Sequence, residues 1–444
     1  MNLRTPFLRQ LALQAALESL KECAPERLTK SCLEKMNREG LLQGFMAGNS
    51  KIFLLAIGKA SLPMTRAVGE TFGWERLKGL VVTKKLDSEI PPGTGLKVIE
   101  AGHPLSNANS LVAGETALRE MRGLSPENPA LFLVSGGASS LFESLVDGIT
   151  LEDLRNLTQK LLCSGISIEE INAVRSALSR VKGGKLLREA GDRECLSLVL
   201  SDVVGDRPET VGSGPTVWNG GNETEKARRI LKEAGLWEEL PVSVKETLAL
   251  DARNPSVGKP PSRDRTVLVG SNRTLCLSVA GKLRSRGLSV LDLGSSLTGE
   301  AKELGNRLAR LAKDIQESGN PVSAPAAVVS GGEAVVTFES ACSGVGGPNQ
   351  EVALSFAIEA AGFSETVLLS MDTDGIDGCS DSAGGLVDGK TAERIERAGL
   401  NPRRELENHN ASLALRASSD FVITGETMNN LNDLRILLVG MPNC

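Results

Sequence analysis

The chain has 444 residues, too many for one ordinary hydrophobic core, so two domains are expected. Hydrophobic residues at 41% and charged ones at 24% describe an ordinary globular protein, and a net charge of -5 with no block of clustered Lys and Arg argues against a nucleic-acid binder. No apolar stretch is long enough to span a bilayer, and the eight cysteines are scattered without a C-x-x-C pair, which reads as reduced thiols in a cytoplasmic protein, not a disulfide framework or zinc site.

The N-terminal stretch lacks a signal-peptide apolar region. Leu8, Leu11, Ala15 and Leu20 have helical spacing, which predicts a docked helix over Phe7–Cys23, and Thr29–Glu39 reads as a second. Lys51–Ile57 is a strand leading into Gly58-Lys59-Ala60-Ser61, with a helix over Ser61–Phe72. Leu77–Thr83 and Leu96–Glu100 are strands. Gly102-His103-Pro104 is a turn before a helix over Asn107–Arg122. Ala130–Val134 is a short apolar run of the kind buried on both faces. It ends at Ser135-Gly136-Gly137, and Ala138-Ser139-Ser140-Leu141 turns into a helix. Leu151–Cys163 is helical, as is Ile168–Glu189, interrupted at Gly183-Gly184. Cys195–Leu200 is a strand ending at Ser201-Asp202, with Asp206 beyond it. Val211–Thr216 is a Gly/Ser/Pro loop, and Glu223–Gly235 a helix.

Asn254–Asp264 holds three prolines and reads as a linker or exposed loop, which divides the chain into domains at 1–250 and 251–444. Beyond it come a strand at Val267–Gly270, a helix at Asn272–Arg286, a strand at Ser289–Leu293 and a helix at Gly299–Glu317. Ala327–Val336 repeats the earlier pattern, an apolar run feeding Ser330-Gly331-Gly332, now followed by Glu333. Gly347–Gly362 is a helix entered through Pro348. Val367–Met371 is a strand ending in an acidic loop, and Phe421–Thr424 and Arg435–Val439 are late strands. Strands alternating with helices predict an α/β protein of parallel units, whose ligand loops gather at the carboxyl ends of strands.

Those loops carry the chemistry. Glycine lets backbone approach a ligand, a helix start presents unpaired N–H groups, and serine adds hydroxyls. The 135–140 loop therefore suits a phosphate or carboxylate; a tight turn needing small residues for packing is the plainer alternative. Lys59, at a strand end beside glycine, can pair with a phosphate or offset charge developing during transfer. Asp372-Thr373-Asp374-Gly375-Ile376-Asp377 sets three carboxylates among glycines, which suits Mg²⁺, a proton acceptor, or simply Asx turns. An EF-hand is excluded, because its twelfth position is Ala383. Asp202 offers the same two roles, metal ligand or base, with Ser213-Gly214 close behind. Arg175 and Lys182, seven apart on one helix, share a face that could bind an anion or simply be solvated. There is no Walker-type P-loop, no G-x-G-x-x-G after a strand and no G-x-S-x-G, which disfavours a dinucleotide dehydrogenase and a serine hydrolase.

Taken together, Gly58-Lys59-Ala60, Gly102-His103-Pro104, SGGASSL (135–141), NAVR…KGGKL (172–186), LSDVVGDRPETVGSGPT (200–216), SGGE (330–333), GGPNQEVAL (346–354), TDGIDGCSDSAGG (373–385) and NDLRILLVG (432–440) resemble the class II glycerate 2-kinases, which carry a MOFRL-type C-terminal domain. The resemblance runs through nearly the whole chain in order. It implies a Rossmann-like, doubly wound N-terminal domain, a smaller α/β C-terminal domain and an active site in the cleft. It implies ATP-dependent phosphorylation of D-glycerate at its 2-hydroxyl, with Mg²⁺. The implied partners are glycerate and a nucleotide, not nucleic acid or membrane, and a homo-oligomer is compatible with it. On this reading Lys59, Asp202 and Asp374 are catalytic. Ser135, Gly136, Gly137, Ser139, Ser140, Arg175, Lys182, Ser213, Gly214, Glu333, Asn349, Gln350 and Glu351 hold substrate or phosphate. Asp202, Asp374 and Asp377 hold the metal. Members have also been called hydroxypyruvate reductases, which the missing dinucleotide fingerprint speaks against here. Where an Arg often precedes Asn-Gln-Glu, this chain has Pro348, so Lys59 or Arg175 is expected to supply that charge.

Overall fold

A computed structural model describes residues 4–47, 50–86, 90–218, 223–251, 263–338 and 344–441. The chain divides into two compact units, Pro25–Val269 and Gly270–Cys444 together with Met1–Ala24. The boundary expected at 250/251 thus falls at 269/270, and residues 254–262 of the expected linker lie outside the described residues.

In the unit Pro25–Val269, β1 (Ile52–Ile57), β2 (Leu77–Thr83), β3 (Gly95–Glu100), β4 (Ala130–Val134), β5 (Cys195–Leu200) and β6 (Asp264–Gly270) form one sheet in the order β3-β2-β1-β4-β5-β6. β1 runs parallel to β2 and β4, β2 to β3, and β4 to β5. β1, β4 and β5 are buried at every residue, which is why they read as unbroken apolar runs. This is the Rossmann order. The chain switches sides of the sheet between β1 and β4, and ligands of such sheets bind beyond the carboxyl ends at that point. Phe53, Leu55, Phe132 and Val199 pack against Ala113, Ala117 and Met121 of the helix Ala108–Arg122. Asn107 and Ser110 close a reciprocal capping box at its start.

A second core in this unit is helical. Leu157 and Leu161 meet Ile171 and Val174, Ala227 and Ile230, and Val244 and Leu248 from a further helix, Val242–Asp251, that was not expected. The segment read as one interrupted helix is two, Ile168–Ala177 and Lys185–Glu189. The cause is local. Gly183 and Gly184 are left-handed (φ 62 and 78) and give their N–H groups to the carbonyls of Ser213 (3.0 Å) and Gly214 (2.7 Å) instead of to a helix.

In the other unit β7 (Ser289–Asp292), β8 (Leu297–Glu300), β9 (Ala326–Val335), β10 (Thr366–Asp372), β11 (Gly384–Asp388), β12 (Phe421–Val422) and β13 (Asp433–Val439) form a mixed sheet, β12-β11-β10-β13-β9-β7, with β8 beside β9. β10 is antiparallel to β11 and β13, and β13 to β9; only β7 and β8 run parallel to β9. The expectation of parallel units throughout is therefore corrected here. β10 and β11 are joined by the acidic loop, with no crossover helix, and such a connection gives an antiparallel pair. Leu304, Leu308, Ala312, Val352 and Phe356 cover Val328, Leu368 and Leu437.

The helix Thr5–Glu22 belongs to this unit. It buries Leu8, Leu11, Ala12, Ala15 and Ala16, and its Arg9 bridges Asp388 (2.6 Å) and Asp420 (2.8 Å), which Arg394 also binds. The second Ser-Gly-Gly is not a strand-end loop. Ser330-Gly331-Gly332-Glu333 lies inside β9 and pairs with β13 on one side and β8 on the other. A Cβ on Gly332 would sit 2.3 Å from the Leu297 carbonyl oxygen, and one on Gly331 1.6 Å from Asn272 Oδ1. These glycines admit neighbouring protein, not a ligand. No helix among the described residues is long and apolar enough to cross a membrane.

Candidate active site

In the unit Pro25–Val269 the ends of β1 and β4 lie side by side, Ile57 opposite Val134. The next residues touch: a Cβ on Gly58 would fall 2.2 Å from Ser135 Oγ, so only glycine fits there. Ser135 Oγ accepts from the Ala60 N–H at 3.1 Å, and the Lys59 N–H donates to the Gly136 carbonyl at 2.8 Å. A Cβ on Gly137 (φ 80) would meet His103 at 3.0 Å and Lys59 Cγ at 3.3 Å. Lys59 and His103 therefore flank the Ser-Gly-Gly turn at the switch point of the sheet. The following helix is a single turn, Ala138–Leu141.

The Val211–Ser213 turn packs on that element. Gly212, Ser213 and Gly214 are successively left-handed (φ 60, 63 and 57). Ser213 Oγ lies 2.7 Å from Ser139 Oγ and donates to Asn172 Oδ1 at 3.0 Å. Arg175, one turn beyond Asn172, donates to the Ser139 carbonyl at 2.9 Å. Its Nε is buried without a partner, and burial pulls the guanidinium below its ordinary pKa, with Glu143 opposing. Lys59, the 135–140 loop, Arg175, Ser213 and Gly214 thus come together. The hydroxyls of Ser135 and Ser140 are turned to backbone, Ser140 onto the Gly137 carbonyl at 3.2 Å. Asp202 stands half-buried just past the end of β5.

Lys182 is a correction. It does not share a helix with Arg175, because that helix ends at Ala177. Its side chain is 1% exposed, and Nζ donates to Glu143 Oε2 at 2.6 Å and to the Phe142 carbonyl at 3.1 Å. Glu143 also accepts from the Ser144 N–H at 3.0 Å and from Ser179 Oγ. The ammonium is occupied inside the protein by these two acceptors, Glu143 and the Phe142 carbonyl.

In the other unit the helix Pro348–Glu359 starts beside the acidic loop. Pro348 occupies its first position, where no N–H is needed. Asp377 caps it: Oδ1 accepts from the Asn349 N–H (3.0 Å) and Oδ2 from the Gln350 N–H (2.8 Å) and Gln350 Nε2 (3.1 Å). A Cβ on Gly347 would fall 2.4 Å from Asp377, so glycine permits that approach. Burial pushes the Asp377 carboxyl up to about 6 against these hydrogen bonds. Asp377 therefore caps this helix with both of its carboxylate oxygens.

The neighbours read as substrate-binding are likewise turned inward. Asn349 Nδ2 donates to Asp433 (2.6 Å), and its Oδ1 accepts from Ser370. Gln350 Nε2 also donates to Ser380 (2.6 Å), and Glu351 contacts His409 Nδ1 at 2.9 Å. All three side chains are buried. Asp433 takes in addition the Ala334 N–H and the buried Arg435. Glu333 points out from β9. Asp374 is half-buried and accepts from the Ile376 N–H at 2.9 Å. Asp372, the first of the loop's three carboxylates, accepts from the Asp374 N–H at 3.0 Å. Burial, and then the charge of Asp374, push its carboxyl up to about 8.

Among the described residues no group of three or more His, Cys, Asp or Glu side chains is arranged to hold a metal ion. Mg²⁺ needs fewer, since it binds through one or two carboxylates plus substrate phosphates and keeps its waters. Asp372 and Asp374 fit that mode, because their mutual repulsion is what a cation would relieve. Of the residues missed, Asn172 lay in the NAVR segment and His103 in the Gly-His-Pro turn. Their partners, Ser213 and Gly137, are remote in sequence, so no spacing signalled the contacts.

Residues 11–249 match the family described as a domain of unknown function (DUF4147), and residues 326–433 match the MOFRL family. A D-glycerate 2-kinase of Thermotoga maritima is 37% identical over 432 residues, covering 97% of this chain and 98% of its own. A glycerate 2-kinase of Pyrococcus horikoshii is 35% identical, covering 97% of each. The crystal structure of a glycerate kinase from Thermotoga maritima superposes with a TM-score of 0.86 at 36% identity, over 97% of this chain and 99% of that one. Likeness of this extent, in sequence and in fold, places the chain in the glycerate 2-kinase family that carries a MOFRL domain.

Proposed function

We propose that this protein is an ATP-dependent kinase that phosphorylates D-glycerate at the 2-hydroxyl to give 2-phosphoglycerate. The observation that carries the reading is the meeting of Lys59, the 135–140 loop, Arg175 and Ser213 beyond the ends of β1 and β4, in a chain of this family. Phosphoryl transfer asks a protein mainly for positioning and charge stabilisation. The Lys59 ammonium offsets charge developing on the transferred group. Arg175 pairs with the carboxylate of the acid. Asp202 in the one unit and Asp374 in the other each offer a proton acceptor or a metal ligand. Mg²⁺, held by Asp374 with Asp372, would neutralise phosphate charge. The reading needs only glycerate and a nucleotide as partners, in a cytoplasmic protein.

A coupled assay of ADP release across D-glycerate and related sugar acids, with identification of the phosphorylated carbon, tests this. The expected product is 2-phosphoglycerate, formed only with ATP and divalent cation. Oxidation of NADH by hydroxypyruvate without ATP would instead mark a reductase. Tight glycerate binding without turnover would mark a silent homologue.

A further inference from the structure

Two residues of one helix clamp Ser139. On Ile168–Ala177 the side chains of Ile171 and Val174 enter the helical core, while Asn172 and Arg175, three apart, share another face. Arg175 holds the Ser139 carbonyl. Asn172 acts through Ser213 on the Ser139 hydroxyl, and the direction of that chain follows from counting protons. A serine hydroxyl has one proton and two lone pairs. Ser213 gives its proton to Asn172 Oδ1 at 3.0 Å. At the 2.7 Å contact with Ser139 it can then only accept. The Ser139 proton is committed to Ser213, and what Ser139 offers outward is a lone pair. Ser213 is 3% exposed and left-handed at φ 63, a conformation that costs a residue bearing a Cβ. The other two hydroxyls of the loop, Ser135 and Ser140, are turned to backbone, which leaves Ser139 as the one that addresses a ligand.

We infer that Asn172 is a specificity-determining positioning residue, which directs the Asn172–Ser213–Ser139 chain so that Ser139 accepts a hydrogen bond from the hydroxyl of glycerate that is not phosphorylated. The inference rests on the kinase reading above. An outward lone pair repels a carboxylate or phosphate oxygen and attracts an O–H group. Glycerate has two hydroxyls. The one that attacks must lose its proton, which serine is too weak a base to take. The 3-hydroxyl keeps its proton throughout and suits a pure acceptor. Arg175 then serves the carboxylate and Ser139 the far end of the same three-carbon acid.

D-Lactate is D-glycerate without the 3-hydroxyl, at the same charge. The readout is the competitive inhibition constant of D-lactate divided by the KM for D-glycerate, measured on the full chain. One neutral hydrogen bond makes this ratio about 10 in the wild type. Ser139→Ala and Asn172→Ala bring it close to unity. Asn172→Asp can only accept, so it keeps the wild-type ratio, although its added charge weakens both acids alike. A ratio unmoved by Ser139→Ala, or lost in Asn172→Asp as fully as in Asn172→Ala, overturns the inference. Ser139→Cys, nearly isosteric and a poor acceptor, repeats the measurement should the alanine variant unfold. Wild-type protein that does not phosphorylate glycerate overturns the kinase reading; wild-type turnover with an unmoved ratio overturns the inference alone.

Discussion

Lys182→Met separates a ligand-binding lysine from a buried structural one. Methionine matches the length and volume of the lysine stem, so little cavity is created. What is lost is Nζ, with its 2.6 Å bond to Glu143 and 3.1 Å bond to the Phe142 carbonyl, at a site where the two side chains are 1% and 0% exposed. Removing one partner of a buried pair costs about 3–5 kcal/mol, because the other charge is stranded. Glu143 keeps the Ser144 N–H and the Ser179 hydroxyl on its other oxygen, which places the cost near the lower end, about 3 kcal/mol. In a unit of this size each kcal/mol lowers Tm by about 2–4 °C, so the transition should fall by roughly 6–12 °C. Calorimetry on the variant, on Glu143→Leu and on the double Glu143→Leu/Lys182→Met closes a double-mutant cycle. The double variant should regain most of the loss, since no charge is left unpaired. KM for glycerate and for ATP should stay within a few-fold where the variant is folded. A Tm within 2 °C of wild type with a hundredfold fall in kcat/KM would refute the assignment and return Lys182 to the ligand.

Other expectations follow from the same contacts. Lys59→Ala and Asp374→Asn should each lower kcat by orders of magnitude with an unchanged melting profile; near-normal turnover in either removes that residue from the mechanism. Asp377→Ala should instead lower stability by about 1–3 kcal/mol, because two helix N–H groups lose their acceptor, and the activating Mg²⁺ concentration should not move in the folded fraction. Burial alone would raise the Asp388 carboxyl, but Arg394, the Lys390 N–H and Arg9 outweigh it and hold the pKa below the ordinary range. A depressed folded-state pKa gives stability that is complete above the ordinary carboxylate range and lost as pH falls through the folded value. Arg394→Met should therefore flatten the acid limb of Tm against pH; an unaltered limb would show that other carboxylates govern it.

Much of the scaffold was legible in the residues alone. β1, β4 and β5 are central strands buried on both faces, and such strands must be apolar at every position, so Ile52–Ile57, Ala130–Val134 and Cys195–Leu200 announce themselves without a partner. The family, and with it a Rossmann-like first sheet, also followed from sequence, through motifs spread along the chain. The rest was decided by contacts between residues far apart. Ser-Gly-Gly occurs twice, and nothing local distinguishes the turn at 135–137 from the middle of β9; only the approach of β8 and Asn272 does. Asp377, Asn349 and Gln350 look like ligands because they are polar and close in sequence to glycines. They bind one another instead, since a helix that begins in the interior must find acceptors for its first N–H groups. Lys182 is a basic residue in a basic segment until Glu143, thirty-nine positions earlier, takes its charge. Hydrophobic periodicity is a property of neighbours along the chain and survives in the sequence. The partner of a polar group is a property of the fold, and a buried polar group takes whichever partner the fold brings to it.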